Sequence, residues 1–413
     1  MARGGRVRPE KDSIVKDSVQ LPQELIDTII DEFDVSLTDI GDPRIFPDRK
    51  TLRSCALVSR AFVRPSQKKL FSTVSTRYRS GDRWAQSPDE RLRLFSKLLA
   101  SNPHIGQYVR TLNLGYRCGR SKSLDHILLA LPNLNIVNLY PWRDFRSRNW
   151  HVAEEFPIHH RDSFLAVFSL SSLRILALRD HRFSNPVALL SMLSNSIGLE
   201  ELVLHNIEFA DLQVADRPKD RPDTPQLVLK SLTLIGMSIS DIDTLLNAFT
   251  NVDISHLQSL CCDRYHPSLF QAARTIRDLT LIAATHNYTT LYPKQLGSTL
   301  PSTLQSLSVN IDRLTLFSPF IHKLGPLEAA LTLKRISITV CFRFSGTMLS
   351  GWPHTDSLLS EAPSVEEICV NLHNNDHRVG TEAEIRAFLP TIDAKGILKI
   401  SFVSGDLRVA ELR

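Results

Sequence analysis

At 413 residues, with 42% hydrophobic and 23% charged residues, the chain is long enough for more than one domain and ordinary in composition for a globular protein. A formal net charge of +5 is small for this length and points neither to nucleic acid nor to an anionic membrane surface. The six cysteines form no Cys-x-x-Cys pair and only Cys261 and Cys262 are adjacent, which leaves no support for a zinc ribbon or a thioredoxin-like site and fits a reducing compartment.

Residues 1–20 carry Arg3, Arg6, Arg8 and Lys11 with no apolar stretch behind them, and they read as a disordered basic arm rather than a secretory leader. No window reaches the ~18 apolar residues of a membrane span, so the expected location is cytoplasmic or nuclear. Order is expected from Leu21. Pro22 suits a first helical turn, and apolar residues at 22, 25, 26, 29, 30 and 33 form one helical stripe. The polar stretch 34–50, with Gly41, Pro43 and Pro47, reads as a loop. A second helical pattern runs over Thr51–Phe62 and a third, short one over Pro65–Phe71. Three short helices supply only about 3–5 kcal/mol from a core of their own. Their apolar residues outnumber what such a core can hide, and the surplus suits a docking face.

The run Leu21-Pro22-x-Glu24-Leu25-Ile26-x-x-Ile29-Ile30, followed by Leu52-x-x-Cys55-Ala56-Leu57-Val58-Ser59-Arg60-Ala61-Phe62 and closed by Leu70-Phe71, resembles the F-box, in the variant common in fungal proteins. The resemblance covers residues 21–72. It departs from the family in a longer insert at 35–50 and in Phe62, where many F-boxes carry Trp. It implies a partner, the small Skp-type adaptor of a cullin–RING ubiquitin ligase. By position, Leu21, Pro22, Leu25, Ile29, Leu57, Val58 and Phe62 would carry that contact. The plainer alternative is that these residues are helical core, or a cap, for the domain that follows.

Residues 73–104 read as a linker or helical cap, with a helical stretch at Glu90–Leu99. From residue 105 to the end one pattern recurs, apolar-x-x-apolar-x-apolar, in eleven blocks beginning at Val109, Leu134, Leu173, Leu199, Leu229, Leu257, Ile276, Leu304, Leu333, Val365 and Ile397. Alternation within a block is the mark of a strand with one buried face. Helical stretches such as Asp241–Phe249 lie between blocks. Successive spacings of 25, 39, 26, 30, 28, 19, 28, 29, 32 and 32 residues fall near the leucine-rich repeat length of ~20–29. The Asn or Cys of that repeat is missing, its place taken by Arg117, Trp142, His181, Ile207 and Met237. The expected fold is therefore an α/β solenoid, a three-helix F-box followed by an irregular curved array of strand-plus-helix repeats. A conventional wound α/β sheet is the alternative.

Two insertions stand out. One is 140–162, with Trp142, Arg143, Phe145, Arg146, Arg148 and Trp150; the other, 211–226, is rich in proline and charge and reads as an extended loop. Aromatic and arginine side chains are usual interface anchors, so 142–150 is a candidate target-binding segment. A loop folded onto the array and a stacking site for single-stranded nucleic acid are the other readings, the modest charge disfavouring the last. Phosphate-loop, dinucleotide, zincin and nucleophile-elbow motifs are missing from the sequence, and His159-His160 and the pair His373/His377 read as polar loops. No catalytic residue, metal or cofactor is expected. The resemblance implies a non-catalytic substrate receptor of an SCF-type ubiquitin ligase, with a leucine-rich-repeat scaffold capped by F-box-like helices as its rival.

Overall fold

The computed structural model describes residues 21–33, 47–76, 88–116, 121–141, 154–157, 160–211, 227–249, 252–264, 266–283, 300–311, 332–342, 352–362, 364–374 and 382–403. Its main feature is a parallel sheet of 12 strands. These are β1 (Thr73–Ser75), β2 (Thr111–Tyr116), β3 (Ile136–Pro141), β5 (Ile175–Arg179), β7 (Glu201–His205), β10 (Ser231–Ile235), β12 (Ser259–Cys262), β13 (Asp278–Ala283), β14 (Ser306–Ile311), β15 (Arg335–Phe342), β16 (Glu367–Asn374) and β17 (Leu398–Val403). Each strand lies beside its predecessor and its successor in the chain, and nowhere does the order reverse. A second, three-stranded sheet joins β4 (Glu154–Glu155), β6 (His181–Phe183) and β8 (Glu208–Phe209), and a two-stranded one joins β9 (Leu227–Val228) and β11 (Val252–Asp253).

The register explains the period of the sequence. Val74 stands opposite Leu112, Leu112 opposite Val137, and the line continues through Leu176, Leu202, Leu232, Leu260, Leu279, Leu307, Ile336 and Ile368 to Leu398. Two residues further on, Leu114, Leu139, Leu178, Leu204, Leu234, Cys262, Leu281, Val309, Ile338 and Val370 form a second buried line. Helices α4 (Pro88–Ser101), α5 (Lys122–Leu129), α6 (Arg161–Phe168), α7 (Pro186–Leu193), α8 (Ile239–Ala248) and α9 (Pro267–Ala272) follow in chain order, with α10 (Trp352–Ser360), α11 (Glu382–Phe388) and α12 (Pro390–Ala394) near the end. Each of α5, α6, α7 and α8 packs on another of the series, and residues such as Leu92, Leu124, Phe164, Leu189 and Ile242 join the strand lines in one apolar core.

All eleven blocks of the sequence pattern run into strands of this sheet, the first apolar position of the first ten standing two residues before the strand, and two differences remain. The sheet starts earlier than the pattern, at β1, inside the segment expected to be a linker. Its last block is displaced: Leu398 stands opposite Ile368 and Ile400 opposite Val370, so Ile397 is not the block's first apolar position. Where the repeat's asparagine is missing, His181, Ile207 and Met237 are fully buried instead.

The chain leaves β5, β7 and β10 at equivalent points with positive φ, at Asp180 (60°), Asn206 (52°) and Gly236 (69°). Aspartate, asparagine and glycine are the residues that tolerate this left-handed backbone. Asn206 Nδ2 donates to Asp180 Oδ1 at 2.8 Å, linking two of the three turns.

Candidate protein-docking surface

Three helices precede the sheet: α1 (Gln23–Asp31), α2 (Pro47–Val58) and α3 (Arg60–Phe71). Pro22 sits just before α1 with φ −53° and ψ 143°, and its carbonyl accepts from the Leu25 and Ile26 amides. Helix α2 opens at Pro47, so the expected loop ends sooner than residue 50; residues 34–46 lie outside the described residues. The second helical pattern does not run through to Phe62. Ser59 is extended (φ −156°, ψ 152°), and its Oγ caps a new helix by accepting from the Ala61 amide at 3.2 Å. A serine at this point competes with the helix for its own backbone and is a favoured N-cap. Pro65 therefore lies inside α3 rather than at its start.

Helix α1 packs on α3, and α3 on α2. Ile26, Ile30 and Leu52 are buried in this unit, and Ser66 of α3 is buried as well. Lys69 Nζ reaches back to the Asp31 carbonyl at 3.2 Å. The single apolar stripe expected on α1 divides in two. Ile26 and Ile30 face the unit's interior, whereas Leu25 is 51% and Ile29 42% exposed. Leu21 and Pro22 are exposed as well. At the end of α2, Leu57 is 88% and Val58 76% exposed. Phe62 is half-buried. Six of the seven residues singled out from the sequence thus lie in solvent, and one is partly covered. Burying an apolar side chain of this size stabilises a complex by about 1.5–3 kcal/mol. A monomer gains none of it from residues left in water.

No linker separates this unit from the sheet. Phe71 and Val74 pack against the main core, and the Ser72 carbonyl accepts from the Arg110 and Thr111 amides at 2.8 and 2.9 Å. Thr76 is buried, donating to the Gly115 carbonyl at 3.3 Å and accepting from the Gly115 amide at 2.9 Å.

The second candidate from the sequence, Trp142, Arg143, Phe145, Arg146, Arg148 and Trp150, lies outside the described residues. Its flanks are ordered by aromatic packing. Arg179 sits over the Tyr140 ring at 5.4 Å, and Phe156 packs on Phe164, His181 and Phe183.

The histidine readings need correction. His160 is buried and fixed, with Nδ1 against Asp125 Oδ1 at 2.8 Å and Nε2 accepting from the Ser121 amide at 3.2 Å. Ser163 donates to the same Asp125 oxygen at 2.6 Å. His266 repeats the device: it directly precedes α9, is buried, and pairs with Asp243 of α8 at 3.0 Å. The expected polar loop at 159–160 therefore contains an anchor between neighbouring helices. Polarity alone concealed it. His373 lies on β16, and His377 is outside the described residues.

Cys55, Cys261, Cys262 and Cys369 are free thiols. Burial, then Asp263 and Glu201, pushes Cys261 up to about 12, and burial pushes Cys262 well above its ordinary range. Both stay protonated at neutral pH and are poor nucleophiles. Among the described residues no group of three His, Cys, Asp or Glu side chains is placed to hold a metal ion. No described helix is long and apolar enough to cross a membrane. No model of a known protein family matches this chain, and no curated protein matches it.

Proposed function

We propose that this chain is an F-box-type substrate receptor. Residues 21–72 dock the Skp-type adaptor of a cullin–RING ubiquitin ligase, and the following strand-and-helix array, read as an irregular leucine-rich-repeat solenoid, holds a target protein. The chain then does no chemistry itself; it brings the target within reach of another enzyme's active site. One observation carries the reading: Leu25, Ile29, Leu57 and Val58, assigned to the adaptor by resemblance alone, are left in solvent by the chain's own fold. The strictly sequential strand order supports the solenoid part. On this reading the protein works in the cytoplasm or nucleus.

The rival, a scaffold whose first helices only cap the array, draws on a specific observation too. Phe71 and Val74 pack on the main core, and the Ser72 carbonyl holds the next strand. Terminal repeats need such covers. A cap, however, has no use for a bare Leu57. A pull-down with purified Skp-type adaptor separates the two. Wild type is expected to be retained, and Leu25→Asp and Val58→Asp to lose retention with unchanged melting temperatures. A wild-type chain that fails to bind any such adaptor removes the receptor reading and leaves the scaffold.

A further inference from the structure

The charge on the three-helix unit is sharply divided. Residues 21–33 hold Glu24, Asp27, Asp31 and Glu32 and no basic residue. Residues 47–71 hold seven Lys or Arg residues against one aspartate, more excess charge than the +5 of the whole chain. Of these seven, Lys69 pairs with Asp31 at 3.8 Å. Lys50, Arg53, Arg60, Arg64 and Lys68 are all exposed and form no ion pair among the described residues.

Their positions flank Leu57 and Val58, which are among the most exposed apolar side chains of the described residues. Lys50, Arg53 and Leu57 succeed one another at three- and four-residue steps on the solvent side of α2. Arg60, Arg64 and Lys68 repeat at four-residue steps on α3, beginning two residues after Val58. Like charges one turn apart repel and weaken a helix. Among the described residues no acidic side chain relieves them, so an anionic partner would complement this corner. A simple phosphate or a nucleic-acid backbone would meet the cations but leave Leu57 and Val58 in water.

Resting on the receptor reading, we infer that the adaptor meets the α2–α3 corner with an acidic, apolar segment, its carboxylates facing Arg53, Arg60 and Arg64 and its apolar side chains covering Leu57 and Val58. Exposed charges of this kind act mainly on encounter rate and are screened beyond about 10 Å at 0.1 M salt. The contact is therefore steered by charge and anchored by apolar burial.

The test is a binding titration of purified adaptor against the full chain at low and high ionic strength. Wild-type affinity is expected to fall about tenfold between roughly 0.05 and 0.5 M salt, chiefly through the association rate. The triple variant Arg53→Glu, Arg60→Glu, Arg64→Glu should bind about tenfold more weakly at low salt and lose that dependence. The Arg→Lys triple should behave as wild type. Circular dichroism and melting check that both variants fold. A Glu triple variant with wild-type affinity and salt dependence, while Val58→Asp still abolishes binding, overturns the charge inference and leaves the receptor reading intact. A wild type that binds no adaptor sinks both. Binding of an oligonucleotide that the Glu variant loses, with adaptor binding unchanged, reassigns the cations to nucleic acid and overturns the inference as well.

Discussion

Glu201 opens β7 between Ile175 and Ser231 on the neighbouring strands. Burial pushes its carboxyl above the ordinary value of 4.5. An acid whose folded pKa is raised binds its proton more tightly folded than unfolded, so it does no harm below pH 4.5, and its destabilising effect grows as pH rises through the folded value. Glu201→Gln removes the charge and keeps the shape. The variant should melt higher than wild type at pH 7, with the gap closing below pH 4.5. A gap independent of pH would show that the carboxylate is not the cause. Glu367, on β16, is the opposite case: hydrogen bonds from Lys399 and Arg335 hold its carboxyl down at about 2. Its side chain is partly covered, but Arg335 and Lys399 both stand in solvent, and surface pairs of that kind contribute little to stability.

At the level of elements, the sequence pattern located strands well because a period of two with a buried line leaves a repeated mark. What escaped it was polar. β1 continues the ladder as Phe71-Ser72-Thr73-Val74-Ser75-Thr76, but Thr76 stands where all the other strands except β12, with Cys262, carry an aliphatic residue, its hydroxyl bonded to Gly115. The last block was misplaced for the contrary reason: Ile397, Leu398, Ile400 and Phe402 offer more apolar residues than the register needs. The periodicity of α1 marked its apolar side but did not divide it between the unit's interior and solvent. That division predicts different fates for adjacent residues: Ile26→Asp should unfold the three-helix unit, whereas Leu25→Asp should leave its helical signal and melting intact. Equal destabilisation by both would mean that Leu25 is covered in solution. A second polar mark is legible in retrospect. Ser172, Thr275, Thr303, Thr332 and Ser364 directly precede a block, and each hydroxyl donates to the carbonyl of the preceding block's first apolar residue. Thr303 does so to Ile276 at 2.8 Å, and to Arg274 at 2.9 Å. Thr303→Val, which keeps the shape, should cost about 1 kcal/mol in urea unfolding, and Thr303→Ser much less. A neutral Val variant would mean that these bonds are idle.

For the whole molecule, the consequence of a strictly sequential ladder is that stability is shared between neighbours rather than pooled. Leu232 is held between Leu202 and Leu260, while among the described strands β17 has β16 alone beside it. Phe402 lies opposite the fully buried Leu372 yet is 46% exposed, and among the described residues no further strand lies beyond it. The first edge is better protected, since α3 runs directly into β1 and the Ser72 carbonyl and Thr76 hydroxyl pin it to β2. Arrays whose layers touch only adjacent layers open from their weaker end. Amide hydrogen exchange should therefore be fastest over Leu398–Val403, slowest over β7, β10 and β12, and intermediate over β1. The spread should be about a hundredfold or more if the end opens without the centre, because each 1.4 kcal/mol of local stability changes exchange tenfold. Equal protection across all of these strands would mean one cooperative unit. The ladder would then transmit a disturbance at β17 to the three helices at the opposite edge, and on the proposed function mutations in β17 would be expected to weaken adaptor binding. A graded profile instead predicts that Phe402→Asp leaves adaptor binding untouched.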